Sequence, residues 1–251
     1  MPNAWDIGSA RLFASLACEA IATTSGGFAA TKGRLDGAMT GEEVLAHCAE
    51  LVAAVDLPVS ADLENCFADD PDGVAATITA AIGAGLAGGS VEDFTRHPDD
   101  PIYELAHATE RVRAAAEAAH AGPVPFVLTA RAENFLHGRP DLSDTIARLQ
   151  AYQDAGADVL FAPRVVDPGD LRTLLAAVDR PVNVLITPDA PAVGELAQLG
   201  VSRISVGGAI AAAGYGLAVR AVLELQEEGT PNYWEEAGAA RRMMQDAFVT
   251  P

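Results

Sequence analysis

Asp62-Leu63-Glu64 closes one short β-like run of the chain, and Glu92-Asp93 closes the next. Residues two apart on a strand point to the same face. Asp62 and Glu64 are therefore expected on one side, with Val59, Ala61 and Leu63 on the other. Glu92 adds a third carboxylate from the adjacent run. Three acids aimed at one point repel each other unless a cation neutralises them. Hard oxygen donors with room for retained water suit Mg²⁺, or Mn²⁺ in its place, better than Zn²⁺. Arg131 ends the fifth run, where its planar fork can anchor an anionic substrate. Glu133 and Asn134 follow it after Ala132. The alternative is a barrel mouth closed by salt bridges without any metal.

Other reactive side chains rank below this set. His97 lies in the loop 94–100 after the fourth run, and His137 follows the fifth; either can carry a proton near neutral pH. His47, His107 and His120 fall on helical segments and are expected to be packed or exposed. Cys18 and Cys48 sit on apolar helix faces. Cys66 follows the acid pair, but no base neighbours it in sequence, and a packing role is favoured.

These residues need a scaffold that brings strand ends together. Eight β-like runs cover 3–6, 20–25, 58–64, 88–93, 125–133, 159–163, 181–187 and 203–207. Ala-rich segments with helical spacing separate them. In 42–55 the apolar residues Val44, Leu45, Cys48, Leu51, Val52 and Val55 form the stripe of a helix packed on a sheet. Another helix is expected over 143–155, capped from the Asp141-Leu142-Ser143-Asp144 segment. Helices end at Gly85, Gly156 and Gly200, and prolines 58, 125 and 181 precede strands. Eight βα units without a linker in 251 residues predict a single (β/α)8 TIM-type barrel over 1–251. A doubly wound open sheet is the alternative. Gly207-Gly208 can form an anion site at a helix start or a plain tight turn. Residues 231–251 add a helical extension over 235–248, whose Trp234, Met243, Met244 and Phe248 must cover the barrel or a neighbouring subunit.

Composition sets the outer limits. The chain carries 35 acidic and 16 basic residues, a net charge of −19, and is 50% hydrophobic. It is too apolar to be disordered. It is too acidic for nucleic acid or an anionic lipid surface. Three cysteines without CxxC spacing argue against a disulfide framework or a zinc site and fit a reducing cytoplasm. No signal peptide is evident at residues 1–6, and no apolar run is long enough for a membrane span.

The ordered landmarks resemble the isocitrate lyase and phosphoenolpyruvate mutase superfamily. They are Trp5-Asp6 with Ser9-Ala10, Ala22-Thr23-Thr24-Ser25-Gly26, Gly33 with Asp36, residues 58–64, Ser90-Val91-Glu92-Asp93, residues 129–133 and residues 151–158. The resemblance reaches from residue 3 to about residue 208. It implies a Mg²⁺-dependent barrel acting on a 2-oxo or related carboxylic acid. It implies direct metal coordination by Asp62, with Asp36, Glu64 and Glu92 acting mostly through bound waters. Thr24, Ser25 and Gly26 are then expected to bind the substrate carboxylate or oxo group, and Arg131 to clamp its charge. Trp5 and Asn183 complete the expected substrate-binding set. Arg131, His97 and Glu133 are the expected catalytic residues. Relatives exchange a C-terminal helix between subunits, which predicts a helix-swapped dimer or tetramer.

The departures narrow the reading. The lyases carry a Lys-(Lys/Arg)-Cys-Gly-His loop after strand four, and the phosphonomutases carry Lys and Asn there. Residues 94–100 contain neither pattern. Leu185 stands where the lyases place Asn, and Cys66-Phe67 replaces the usual Gly-Tyr. The chain begins almost at its first strand where relatives have a leading segment, which leaves an N-terminal truncation open. The expected activity is lyase-like, cleaving a C–C bond or decarboxylating a small 2-oxo acid or 2-hydroxy dicarboxylic acid through a metal-stabilised enolate. Carbon–phosphorus chemistry on a phosphonopyruvate-type substrate, or a catalytically silent 2-oxo-acid-binding barrel, are the alternatives.

Overall fold

A computed structural model describes residues 1–248. Eight parallel strands lie side by side in chain order, β1 (Asn3–Ala4), β2 (Ile21–Thr23), β3 (Val59–Ala61), β4 (Gly88–Glu92), β5 (Val127–Arg131), β6 (Val159–Phe161), β7 (Val182–Leu185) and β8 (Arg203–Ser205). Helices alternate with them, which makes a (β/α)8 barrel. Asn3 bridges the seam between the last strand and the first. Its Oδ1 accepts from the backbone N–H of Val206 at 2.9 Å and Gly207 at 3.0 Å, while its Nδ2 donates to Thr23 O at 2.8 Å.

Local sequence explains most boundaries. Asp6 caps α1 (Ile7–Ser15) rather than ending a strand, because its Oδ1 accepts from Ser9 N at 2.6 Å. Thr40 and Glu43 form a reciprocal capping box on α3 (Gly41–Ala54). Pro71 opens α4 (Pro71–Gly83) and Pro168 opens α7 (Pro168–Ala177), each behind an Asp cap. The predicted helix over 143–155 is α6 (Leu142–Asp154). Gly85, Gly156 and Gly200 do follow helices with positive φ, as the chain-stop reading requires. α5 (Leu105–His120) and α8 (Val193–Leu199) are further helices of the outer ring.

Strand alternation sorts the core into two zones. Leu128 and Ala130 on β5 face the helices and are fully buried. Their neighbours Thr129 and Arg131 face a central cavity. The same holds on β7, where Val182 and Val184 are buried and Asn183 lines the cavity. The apolar core therefore lies between sheet and helices, and includes Ile21, Leu51, Ile78, Leu149, Leu160 and Leu174.

One expectation about strand three fails. β3 stops at Ala61, so Asp62 and Glu64 do not share a strand face. Glu64, Cys66 and Phe67 adopt left-handed backbone, with φ of 51°, 59° and 55°. Each such non-glycine residue costs about 1–2 kcal/mol. The turn is held from below by the buried Arg111 on α5. Its guanidinium donates to Asn65 O at 2.6 Å, Ala68 O at 2.9 Å and Glu92 O at 3.0 Å.

The C-terminal segment forms α9 (Ala209–Glu227) and α10 (Trp234–Phe248). α10 packs against α1. Both helices keep large apolar side chains exposed, among them Leu217, Val219, Val222, Trp234, Met243 and Phe248. Among the described residues, no helix is long and apolar enough to cross a membrane.

Candidate active site

Arg131 is the hub of the barrel mouth. Its Nη1 lies 3.0 Å from Asp62 Oδ1, its Nη2 3.1 Å from Glu92 Oε2 and its Nε 2.8 Å from Glu133 Oε1. The fork thus joins the ends of β3, β4 and β5. Its plane sits 5.2 Å from the Phe161 ring of β6. Three adjacent carboxylates hold Arg131 firmly protonated against its burial. Two of these contacts are hydrogen bonds, from Nε to Glu133 and from Nη1 to Asp62, so three of its five donors remain free for a ligand.

Asp62 is fixed from two sides. Its Oδ2 accepts from Ser25 N at 3.1 Å, and its own N–H donates to Thr23 Oγ1 at 2.9 Å. Thr24 caps the short helix α2 (Ser25–Thr31), and Thr24 and Ser25 line the cavity wall while Gly26, expected there, does not border it. A side chain at Gly26 would place its Cβ 3.2 Å from Asp36 Oδ2, a tight contact that the exposed Asp36 side chain would have to yield to.

Glu64 reaches the site through the strained turn. Its Oε2 stands 3.6 Å from Arg96 Nη2, and its buried Oε1 has no hydrogen-bond partner. Burial pushes its carboxyl up to about 7, against the pull of Arg96. Burial also raises Glu92 well above the usual carboxylate range, with Arg131 opposing, and raises Glu133. Asp36, Glu64, Glu92, Glu133, Arg96, Arg131 and His137 border one cavity of about 170 Å³. A second cavity of about 200 Å³ adjoins it through Ser25, Asp36 and Arg131 and runs down into the barrel. Among the described residues, no three His, Cys, Asp or Glu side chains stand close enough to grip an ion directly.

The loop 94–100 is ordered by its own backbone. Phe94 and Ile102 form an antiparallel bridge, and Thr95 Oγ1 accepts from His97 N at 3.0 Å. Arg96, at φ 66°, turns back over the acids and donates to Gly37 O. His97 is exposed and lines a separate cleft with Met39, Asn65 and Phe67, away from the acid cavity. His137 is the imidazole brought to that cavity. Its ring stacks 3.8 Å over Phe94, and its Nε2 is 3.8 Å from Glu133 Oε2. Burial lowers its pKa.

Two further predicted contacts are displaced. Trp5 packs edge-on against Phe13 at 5.9 Å and borders an outer cleft with His47 instead of the central cavity. Asn183 does line the cavity, but deep inside, bonded to Ser205 Oγ and Arg203 Nε at 2.9 Å each. Cys66 is fully buried and its thiol is pushed up to about 12 by that burial, which leaves it inert.

Sequence reasoning missed the support beneath the hub. Asp93 accepts from Tyr152 OH at 2.6 Å, Glu133 N at 2.8 Å and Arg148 Nη1 at 3.2 Å. Arg148 also pairs with Asp144 at 2.8 Å. The available signal was Asp93, an acid directly after a strand-end acid, with an Arg and a Tyr one helical turn apart on α6.

Comparison with known proteins agrees with this architecture. Residues 1–226 match the phosphoenolpyruvate phosphomutase family. An uncharacterised Mycobacterium tuberculosis protein is 32% identical over 208 residues, covering 82% of this chain and 76% of its own length. The 2-methylisocitrate lyase of Escherichia coli K12 is 31% identical over 177 residues, covering 67% of this chain and 58% of the enzyme. A crystal structure of a candidate lyase/mutase from Burkholderia cenocepacia J2315 superposes with a TM-score of 0.96 at 50% identity, covering 100% of this chain and 91% of that one. With the barrel, the strand-end acids and these likenesses together, the chain belongs to the phosphoenolpyruvate mutase/isocitrate lyase superfamily, whose members are lyases and mutases.

Proposed function

We propose that the protein is a Mg²⁺-dependent carbon–carbon lyase acting on a small 2-oxo acid or 2-hydroxy dicarboxylic acid. The observation that carries this reading is the acid-rich cavity around Arg131. Five carboxylates, Asp36, Asp62, Glu64, Glu92 and Glu133, face two arginines, Arg96 and Arg131. The buried, unpartnered Glu64 Oε1 and Glu133 Oε2 are acceptors in want of a positive partner. Hard oxygens spaced too widely for direct capture fit an ion that keeps several waters, as Mg²⁺ does. Asp62, Glu64, Glu92 and Asp36 would hold it, and Mn²⁺ could replace it. When bound, the metal supplies Lewis-acid stabilisation of charge beside the breaking bond.

The chain's own groups do the rest. Arg131 offers its free N–H donors to the substrate carboxylate, and Thr24 and Ser25 form the wall against which it lies, with Gly26 behind them. Phe161, Pro163 and Leu185 exclude water from the opposite side. A cavity of about 200 Å³ admits a small acid and no nucleotide. His137, aligned by Phe94 and facing Glu133, takes the proton-carrying role that the sequence assigned to His97. Decarboxylation suits a loop without cysteine, because CO₂ leaves without a general acid. Arg96 reaching over the acids favours catalysis over a silent binding barrel.

We further propose a cytoplasmic homo-oligomer, a dimer or tetramer, in which the apolar faces of α9 and α10 are covered by exchange between subunits. The test of the activity is a turnover screen of oxaloacetate, substituted malates and phosphonopyruvate, with Mg²⁺ or with chelator. Chelator-sensitive cleavage of an oxaloacetate or malate supports the reading. Turnover of phosphonopyruvate alone, or none despite ligand binding, contradicts it.

A further inference from the structure

Below Arg131 the barrel interior is unlike an apolar core. Asn3, Ser60, Ser90, Thr129, Asn183 and Ser205, from six strands, line the inner part of the cavity. Barrels of this kind usually fill that space with branched apolar side chains in layers. Here the residues are short and polar, and room remains among them.

Arg203 of β8 stands in this chamber. Its Nε donates to Asn183 Oδ1 at 2.9 Å and its Nη2 donates to Thr129 Oγ1 at 2.9 Å. Both acceptors are neutral. Among the described residues, no carboxylate lies within ion-pair distance of it, whereas Arg96, Arg131 and Arg148 each have one. Burial alone lowers its pKa to about 10. A buried charge without a counter-charge is costly. Two hydrogen bonds leave three of its five donors available. The mechanism proposed above makes no use of it.

Position fixes what such a cation can meet. Thr129 and Arg131 alternate on the inner face of β5, so their stations lie about 7 Å apart along the strand. Both border the same cavity. We propose that Arg203, oriented by Asn183 and Thr129, forms a second anion subsite inside the barrel, taking the far carboxylate of a short dicarboxylate whose near carboxylate meets Arg131. This rests on the Arg131 cavity being the substrate site, and it narrows the substrate class to diacids. A monocarboxylate of equal length would leave the Arg203 guanidinium facing a methyl group.

The test compares succinate with butyrate, which share a four-carbon length and differ by one carboxylate. Each is titrated calorimetrically into the full chain, with Mg²⁺ and with chelator. A charge-assisted contact predicts that the wild type binds succinate about tenfold tighter than butyrate, or more. Arg203→Met is expected to bring the ratio to within about threefold of unity, and Arg203→Lys to keep part of it. Thr129→Val, which removes one acceptor and no charge, is expected to lower the ratio by about threefold and serves if Arg203→Met does not fold. A wild-type ratio near unity, or a ratio that survives in Arg203→Met or in Thr129→Val, overturns the subsite. The readout needs no turnover. Diacid preference through Arg203 without any Mg²⁺-dependent cleavage refutes the lyase reading alone. Cleavage of a monocarboxylic 2-oxo acid that Arg203→Met leaves unchanged refutes the subsite alone.

Discussion

Replacing Arg131 with methionine keeps a long side chain against Phe161 and removes the one cation shared by Asp62, Glu92 and Glu133. The three acids differ in how much they lose. Side-chain exposure is 20% for Asp62, 9% for Glu92 and 1% for Glu133, so water compensates only the first in part. Stripping one partner from a buried pair costs about 3–5 kcal/mol. For a chain of this size each kcal/mol lowers Tm by about 2–4 °C, which gives a drop of roughly 6–20 °C. The loss must depend on pH. Burial already raises Glu92 and Glu133, and without Arg131 both climb further. A carboxyl raised on folding stabilises below its unfolded pKa, and that stability is lost as pH rises through the folded value. The deficit is therefore larger at about pH 8 than at about pH 5.5. Thermal melts of wild type and Arg131→Met in chelator at both pH values measure it. A deficit under about 2 °C at the higher pH, or a larger one at the lower pH, would refute the hub as described.

Glu64→Gln should flatten part of the metal-free stability profile. With the Glu64 carboxyl at about 7 against an ordinary 4.5, wild type loses about 3 kcal/mol relative to the variant between those pH values; parallel urea profiles would contradict the burial. Cys66→Ser should keep kcat within severalfold, since the thiol is buried and protonated; a hundredfold loss would give Cys66 a chemical role. Asp93→Asn leaves Tyr152 and Arg148 facing an amide and should cost about 2–4 kcal/mol. A loss below about 0.5 kcal/mol in chemical denaturation would show that Asp93 does not hold Glu133 in place.

The barrel was legible because its punctuation is local. Pro58 and Pro181 sit directly before strands, and Gly85, Gly156 and Gly200 stop helices through backbone conformations that favour glycine. The acids were legible as strand-end residues, but β3 ends at Ala61, so strand alternation does not pair Asp62 with Glu64. Asp62 and Glu64 meet through a left-handed turn clamped by Arg111, a long-range contact that period-two spacing does not encode. Arg131 was readable as an anion anchor, but not as the cation neutralising three carboxylates. His97 and His137 looked alike in sequence; the Phe94–Ile102 bridge and the Phe94 stack separate them. Arg203 passed as an ordinary strand residue. Its signal was an arginine alternating with Ile204 inside a barrel strand, which aims it at the interior.

The central claim is that the strand-end acids hold a divalent metal, and calorimetric titration of Mg²⁺ into wild type and Asp62→Asn tests it most directly. One ion per chain is expected in the wild type, with affinity at least about tenfold weaker in a folded Asp62→Asn protein. Equal Mg²⁺ affinity in the two proteins, or none in either, would contradict it and leave Arg131 and Arg96 as the cations that those carboxylates were built to meet.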